Sequence, residues 1–94
     1  MTDAVQGWMF FSNHAHVLIC LAERTHARLR DVADRVAITE RSALRLITEL
    51  EEAYILERKK EGRRNRYIIN KSAQLRHPIE SHCTGGELLA TVLK

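Results

Sequence analysis

From Thr39 onward the run ERSALRLITELEEAY repeats apolar residues at helical spacing, so that Ala43, Leu46, Ile47, Leu50 and Tyr54 fall on one face. It is the longest amphipathic run in the chain. Projected at about 100° per residue, Arg41, Ser42, Arg45, Thr48, Glu49 and Glu52 fall on the opposite side. The spacing therefore predicts a helix over about 39–53 with one face for a core and one arginine-bearing face for a partner. Thr39 supplies a side-chain oxygen suited to cap it.

The segments before this helix carry shorter helical patterns. Ser12 offers a cap to a helix over 13–24, where Ala15, Leu18, Ile19 and Ala22 recur at helical spacing and Val17 and Leu21 widen the stripe. In RTHARLRDVADRVAI, Leu29 reads as part of a short extended piece. Asp31 reads as the cap of a short second helix whose Val32, Ala33 and Val36 share a face.

After Tyr54 the period changes. ILERKK and NRYIIN are β-prone and flank EGRR, with Gly62 supplying the turn, so 55–60 and 65–70 are predicted to form an antiparallel hairpin. Alternation puts Tyr67 and Ile69 on one side of its second strand, with Arg66 and Ile68 on the other. His77-Pro78 breaks the chain. Thr84 then caps a last helix in GGELLATVLK, with Leu88, Leu89, Val92 and Leu93 as its apolar stripe. The amino-terminal cluster Trp8, Met9, Phe10 and Phe11 is too apolar for a free tail and is expected to pack on something.

Charge is segregated. The formal net charge of the 94 residues is only +3, but between Arg58 and Arg76 eight basic residues stand against Glu61, a local +7 that leaves −4 for the remainder. Such a patch raises the local potential toward polyanions, of which nucleic acid is the commonest inside cells, although a solvated surface hairpin carries the same charge pattern. At 45% hydrophobic and 29% charged, residues 1–94 suit a single domain with one core. No apolar run is long enough to span a membrane, and MTDAVQG lacks the basic start and cleavage pattern of a signal peptide, so a cytoplasmic location is expected. Cys20 and Cys83 lack the close pairing of a zinc ribbon and are expected to be reduced thiols.

Two short helices joined by a tight turn, the second amphipathic with arginines outward, then a basic hairpin, form the order of a helix-turn-helix with a wing. Through LRDVADRVAITERSALRLITELEEAYILERKKEGRRNRY, residues 29–67, the sequence resembles the winged helix-turn-helix transcriptional regulators of the MarR and ArsR-like kind, with weaker support from NHAHVLICLA. Val32, Ala33, Val36, Ile38, Ala43 and Leu46 occupy the apolar slots with which such motifs lock two helices together. Ala37 and Tyr54 depart from the pattern, standing where these proteins often carry glycine.

The fold class that follows is mainly α with a small β-hairpin: a three-helix core, a wing and an extra C-terminal helix. The resemblance implies a sequence-specific regulator of transcription that binds double-stranded DNA. In the helix, Thr39, Arg41, Ser42 and Arg45 are the candidates for the major groove: Arg41 or Arg45 on guanine, Ser42 on a base edge, and Thr39 as cap and phosphate contact. In the hairpin, over about 59–67, Arg63, Arg64 and Arg66 are candidates for phosphates or the minor groove, with Asn65 as hydrogen-bond partner and Lys59 and Lys60 as general attraction. The competing reading makes Arg41 and Arg45 solvated arginines paired with Glu49 or Glu52.

Other functions have less behind them. His14, His16, His26, His77, His82 and Cys83 raise a metal-responsive regulator as an alternative, but their spacing forms no zinc motif and no metal or other cofactor is expected. There is no phosphate-cradling glycine loop with its lysine and no nucleophile elbow, so catalysis is not expected. A winged helix used for protein or RNA contact is a further alternative. The arm 1–11 and the helical segment 79–94 carry apolar surface suited to a homodimer interface or to completing the core, and a homodimer is the expectation. No small-molecule effector is assigned.

Overall fold

The Ser12 hydroxyl accepts a hydrogen bond from the Ala15 amide at 3.4 Å and opens the first helix, α1, Asn13–Glu23. The computed structural model describes residues 8–93 and places four helices and a two-stranded antiparallel hairpin along the chain. Residues 1–7 and Lys94, which belong to the expected arm and C-terminal segment, lie outside the described residues. No helix among the described residues is long and apolar enough to cross a membrane.

Helix α2 spans Leu29–Val36. Its start corrects the sequence expectation, because Leu29 is already helical and Asp31 is not the cap. Asp31 sits one turn in, and its carboxylate accepts from the Arg28 amide at 3.4 Å, which satisfies an amide that the helix itself cannot. The helix ends at Ala37, in the left-handed region at φ 68 and ψ 48. This one residue reverses the chain direction, with the Ala37 and Ile38 amides both donating to the Ala33 carbonyl at 2.8 and 3.0 Å.

Helix α3 spans Glu40–Glu52, and Thr39 caps it as expected, its hydroxyl accepting from the Ser42 amide at 3.0 Å. A second left-handed residue, Tyr54 at φ 61, lets the Ile55 amide return to the Leu50 carbonyl at 3.1 Å. The reversal takes Tyr54 off the apolar face of α3. Its side chain is 81% exposed, so the stripe ends at Leu50.

The hairpin pairs β1, Leu56–Glu61, with β2, Arg64–Ile69, one residue tighter around the turn than the sequence predicts. Gly62 and Arg63 alone form the connection. Gly62 is at φ 60 and Arg63 is not in the positive region, the pattern of a type II′ turn that demands glycine at its first position. Opposite pairs Leu56 with Ile69, Arg58 with Tyr67 and Lys60 with Asn65 share one face; Lys59 with Arg66 and Glu61 with Arg64 share the other. The loop between α1 and α2 is tied to the hairpin, as the Tyr67 amide donates to the Thr25 carbonyl at 2.8 Å.

Helix α4, Gly85–Val92, is capped reciprocally: the Glu87 amide donates to the Thr84 hydroxyl at 3.1 Å and the Thr84 amide to the Glu87 carboxylate at 2.8 Å. Gly86 is required by a close approach. A Cβ there would lie 2.7 Å from the Lys71 carbonyl oxygen, to which the Gly86 amide donates at 2.9 Å.

These elements close over one cluster of buried side chains. Val17, Leu18, Cys20 and Leu21 come from α1, Val32 and Ala33 from α2, Ala43, Leu46, Ile47 and Leu50 from α3. Ile55, Leu56 and Tyr67 join from the hairpin and its approach, and Leu89 from α4. Each large side chain so buried contributes about 1.5–3 kcal/mol. The remaining α4 stripe divides: Leu88 and Leu93 pack half-buried on the cluster, while Val92 stays exposed. Both cysteines are free, and burial pushes the Cys20 thiol up, away from the reactive thiolate.

Candidate nucleic-acid interface

Because α3 buries Ala43, Leu46, Ile47 and Leu50, it turns Arg41 and Arg45 to solvent. The structure divides these two. Arg45 donates from Nη1 to Glu49 Oε2 at 3.1 Å, one turn along the same helix, whereas Arg41 has no acidic partner among the described residues. Glu49 also accepts from His14 Nε2 of α1 at 2.6 Å. That hydrogen bond first, with Arg45 adding to it, holds the Glu49 carboxyl below its ordinary range. Ser42 is half-buried, and its hydroxyl accepts from Thr39 Oγ1 at 3.0 Å, so these two side chains finish the helix start as a unit.

The hairpin sorts its basic residues in the same way. Arg58 lies on the inner face and is held by Glu51 of α3 through two hydrogen bonds. Arg66 reaches Glu61 at 3.6 Å, and Glu61 also accepts from His26 Nε2 at 3.0 Å. The His26 hydrogen bond foremost, then the Arg66 charge, lowers the Glu61 pKa. Lys59, Lys60, Arg63 and Arg64 are exposed and have no acidic partner among the described residues, while Asn65 is half-buried. The local excess of positive charge is thus smaller than the sequence count, and Lys59, Lys60, Arg63 and Arg64 carry its part on the hairpin.

The two elements meet at one cleft. Arg63, Arg64 and Asn65 of the hairpin line it together with Leu44 of α3 and Arg28 at the start of α2. Leu44 is not among the residues that the sequence offers as candidates. It is 42% exposed, and its position off the 43, 46, 47, 50 stripe is the signal that it faces outward.

The histidines and Cys83 do not converge: among the described residues no group of three or more His, Cys, Asp or Glu side chains could hold a metal ion. His77 serves its own turn, with Nδ1 accepting from the Ile79 amide at 3.1 Å.

Among known proteins, no family model matches the chain and no curated protein is significantly similar to it.

Proposed function

We propose that the chain is a winged helix-turn-helix protein that binds double-stranded DNA sequence-specifically and regulates transcription, with α2 and α3 as the helix-turn-helix and the hairpin as the wing. The observation that carries this reading is the sorting of charge. Among the described residues Arg41 on α3 and Lys59, Lys60, Arg63 and Arg64 on the hairpin lack acidic partners, whereas Arg58, which faces the interior, has one. Cations left unpaired on one helix and one neighbouring hairpin are suited to phosphates, which supply most of the affinity of such proteins.

In this reading α3 enters the major groove, Arg41 forks onto a guanine edge, and Ser42 and Thr39 lie at the helix start near the backbone. Arg45 reaches a base only by leaving Glu49. The hairpin tip holds the backbone or the minor groove. The apolar surface at the amino end favours a homodimer: Trp8 and Phe10 are 75% and 87% exposed and pack edge-on against each other, 4.8 Å between ring centres. Phe10, Phe11 and Ile79 line a groove of about 570 Å³ beside α1 and α4. Two copies joined there would present two α3 helices to two half-sites.

The test is duplex binding measured over a range of salt. The reading predicts a linear fall of log K with log salt, and a slope reduced by about 2 when Arg63 and Arg64 are both replaced by Gln, since each lost phosphate contact removes about 0.9. An unchanged slope in the double variant refutes the hairpin contact.

A further inference from the structure

Five arginines are near or at the junction of α2, α3 and the hairpin, and three acids close to them, Glu51, Glu61 and Asp31, already have partners. Arg28, Arg58, Arg63 and Arg64 line a cleft of about 250 Å³, together with Asn65, Leu44 and Tyr67, and among the described residues no acidic side chain lines it. Arg30 follows on the first turn of α2. Glu51 is committed to Arg58, Glu61 to His26 and Arg66, and the Asp31 carboxylate is turned back onto the Arg28 amide. Arg58 is therefore neutralised in place, but Arg28 and Arg63 are not paired among the described residues. Arg64 is steadied from one side, donating from Nη1 to the His26 carbonyl at 3.5 Å.

A cleft lined by arginines from two elements, with an amide side chain and no carboxylate among the described residues, suits an anion. We propose that it is an anion pocket for a single phosphate group, held between Arg28 on the α2 side and Arg63 and Arg64 on the hairpin side, with Asn65 as a neutral donor. Planar guanidinium forks match phosphate oxygens in pairs, and two arginines approaching from different elements enclose the group. Leu44, exposed at the cleft wall, offers an apolar surface to the sugar beside that phosphate. The assignment of the phosphate to a DNA strand rests on the DNA-binding reading above; the pocket itself rests only on the arginines. Arg28 is thereby given a binding role, and the His26 and Glu61 pair a positioning one, since it ties the α1–α2 loop to the hairpin at 3.0 Å and keeps the two walls together.

Two arms test this and separate its failure from that of the DNA reading. In the first, amide and arginine side-chain resonances of the full chain are followed by NMR as inorganic phosphate is added, against sodium chloride at the same ionic strength. Saturable shifts confined to Ala27–Leu29 and Gly62–Asn65, present with phosphate and lost in the Arg28→Gln, Arg63→Gln double variant, are expected. Shifts equal in the two salts, or unaltered in a double variant whose remaining spectrum shows it folded, overturn the pocket. In the second arm duplex binding is measured against salt for the wild type and Arg28→Gln. A slope smaller by about 1 supports a strand phosphate in the pocket. An unchanged slope with DNA still bound overturns that assignment and leaves the DNA reading standing. Saturable phosphate binding in a wild-type chain that binds no duplex keeps the pocket and overturns the DNA reading instead.

Discussion

Arg58 lays Nε and Nη2 on the two carboxylate oxygens of Glu51, at 3.2 and 2.9 Å, and so ties the first strand of the hairpin to the last turns of α3. Both side chains are more than two-thirds buried, at 28% and 24% exposed, where a paired charge interacts more strongly than at the surface. The contact fixes the angle between the helix and the hairpin on which the proposed division of labour depends. Glu51→Gln is expected to destabilise the fold by about 1–2 kcal/mol, because it leaves a partly buried guanidinium with a neutral partner. Urea unfolding measures this. A midpoint unchanged from wild type would show that the pair contributes nothing to holding the hairpin.

Glu49 joins α1 to the outer face of α3 through His14 and holds Arg45 at the same time. Its pKa is lowered in the folded state, chiefly by the His14 hydrogen bond. The stability it contributes is therefore complete above the unfolded carboxylate pKa, of about 4.3, and is lost as pH falls through the lower folded value. Glu49→Gln should be less stable than wild type at neutral pH, and the gap should close on acidification below the ordinary carboxylate range. Thermal unfolding at several pH values checks this; a gap independent of pH contradicts it. The same substitution frees Arg45, so duplex affinity is expected to rise.

Ala37 and Tyr54 both hold left-handed backbone, at φ 68 and 61, which costs a residue with a side chain roughly 1–2 kcal/mol. Glycine there removes that strain and gives part of it back as unfolded-chain entropy. Ala37→Gly and Tyr54→Gly should each stabilise by about 0.5–1 kcal/mol. A loss of stability in both would mean that the side chains contribute packing that outweighs the strain, a surprising result for Tyr54 given its exposure.

Gly86→Ala should act in the opposite sense. Its new Cβ meets backbone, 2.7 Å from the Lys71 carbonyl oxygen, and backbone cannot swing aside as a side-chain tip does. A loss of about 1–3 kcal/mol is expected, with α4 loosened from the loop that follows β2. Hydrogen exchange at the Gly86 amide, which donates to that carbonyl, reports it directly. Protection equal to wild type would contradict the close approach.

Local signals in the chain carried most of the architecture. The hydroxyls of Ser12, Thr39 and Thr84 precede apolar periodicity and cap three of the helices as read. Gly62 marks the turn. The start of α2 is not legible in the sequence because an acid can satisfy a helix amide from outside as a cap or from the third helical position, and Asp31 takes the second role. Tyr54 continues the helical period in sequence but leaves it in space, since one left-handed residue ends the periodicity there without a glycine to announce it. The candidate site is legible in residue type and not in pairing. His14 with Glu49 and His26 with Glu61 are each 35 residues apart, and nothing local to either partner reveals the contact. Of the two α3 arginines, Arg45 takes the pairing with Glu49 that the competing reading expects, and Arg41 has no acidic partner among the described residues.

Selection of bound duplexes from a random DNA pool, at two salt concentrations, tests the central claim most directly. A sequence-specific protein of this design enriches a defined motif, retained at the higher salt, and Arg41→Gln relaxes the preference at one position at a cost of about 1–3 kcal/mol. Recovery of a pool with no enriched motif at either salt would contradict the account and leave the arginine-bearing faces of α3 and the hairpin to some other partner.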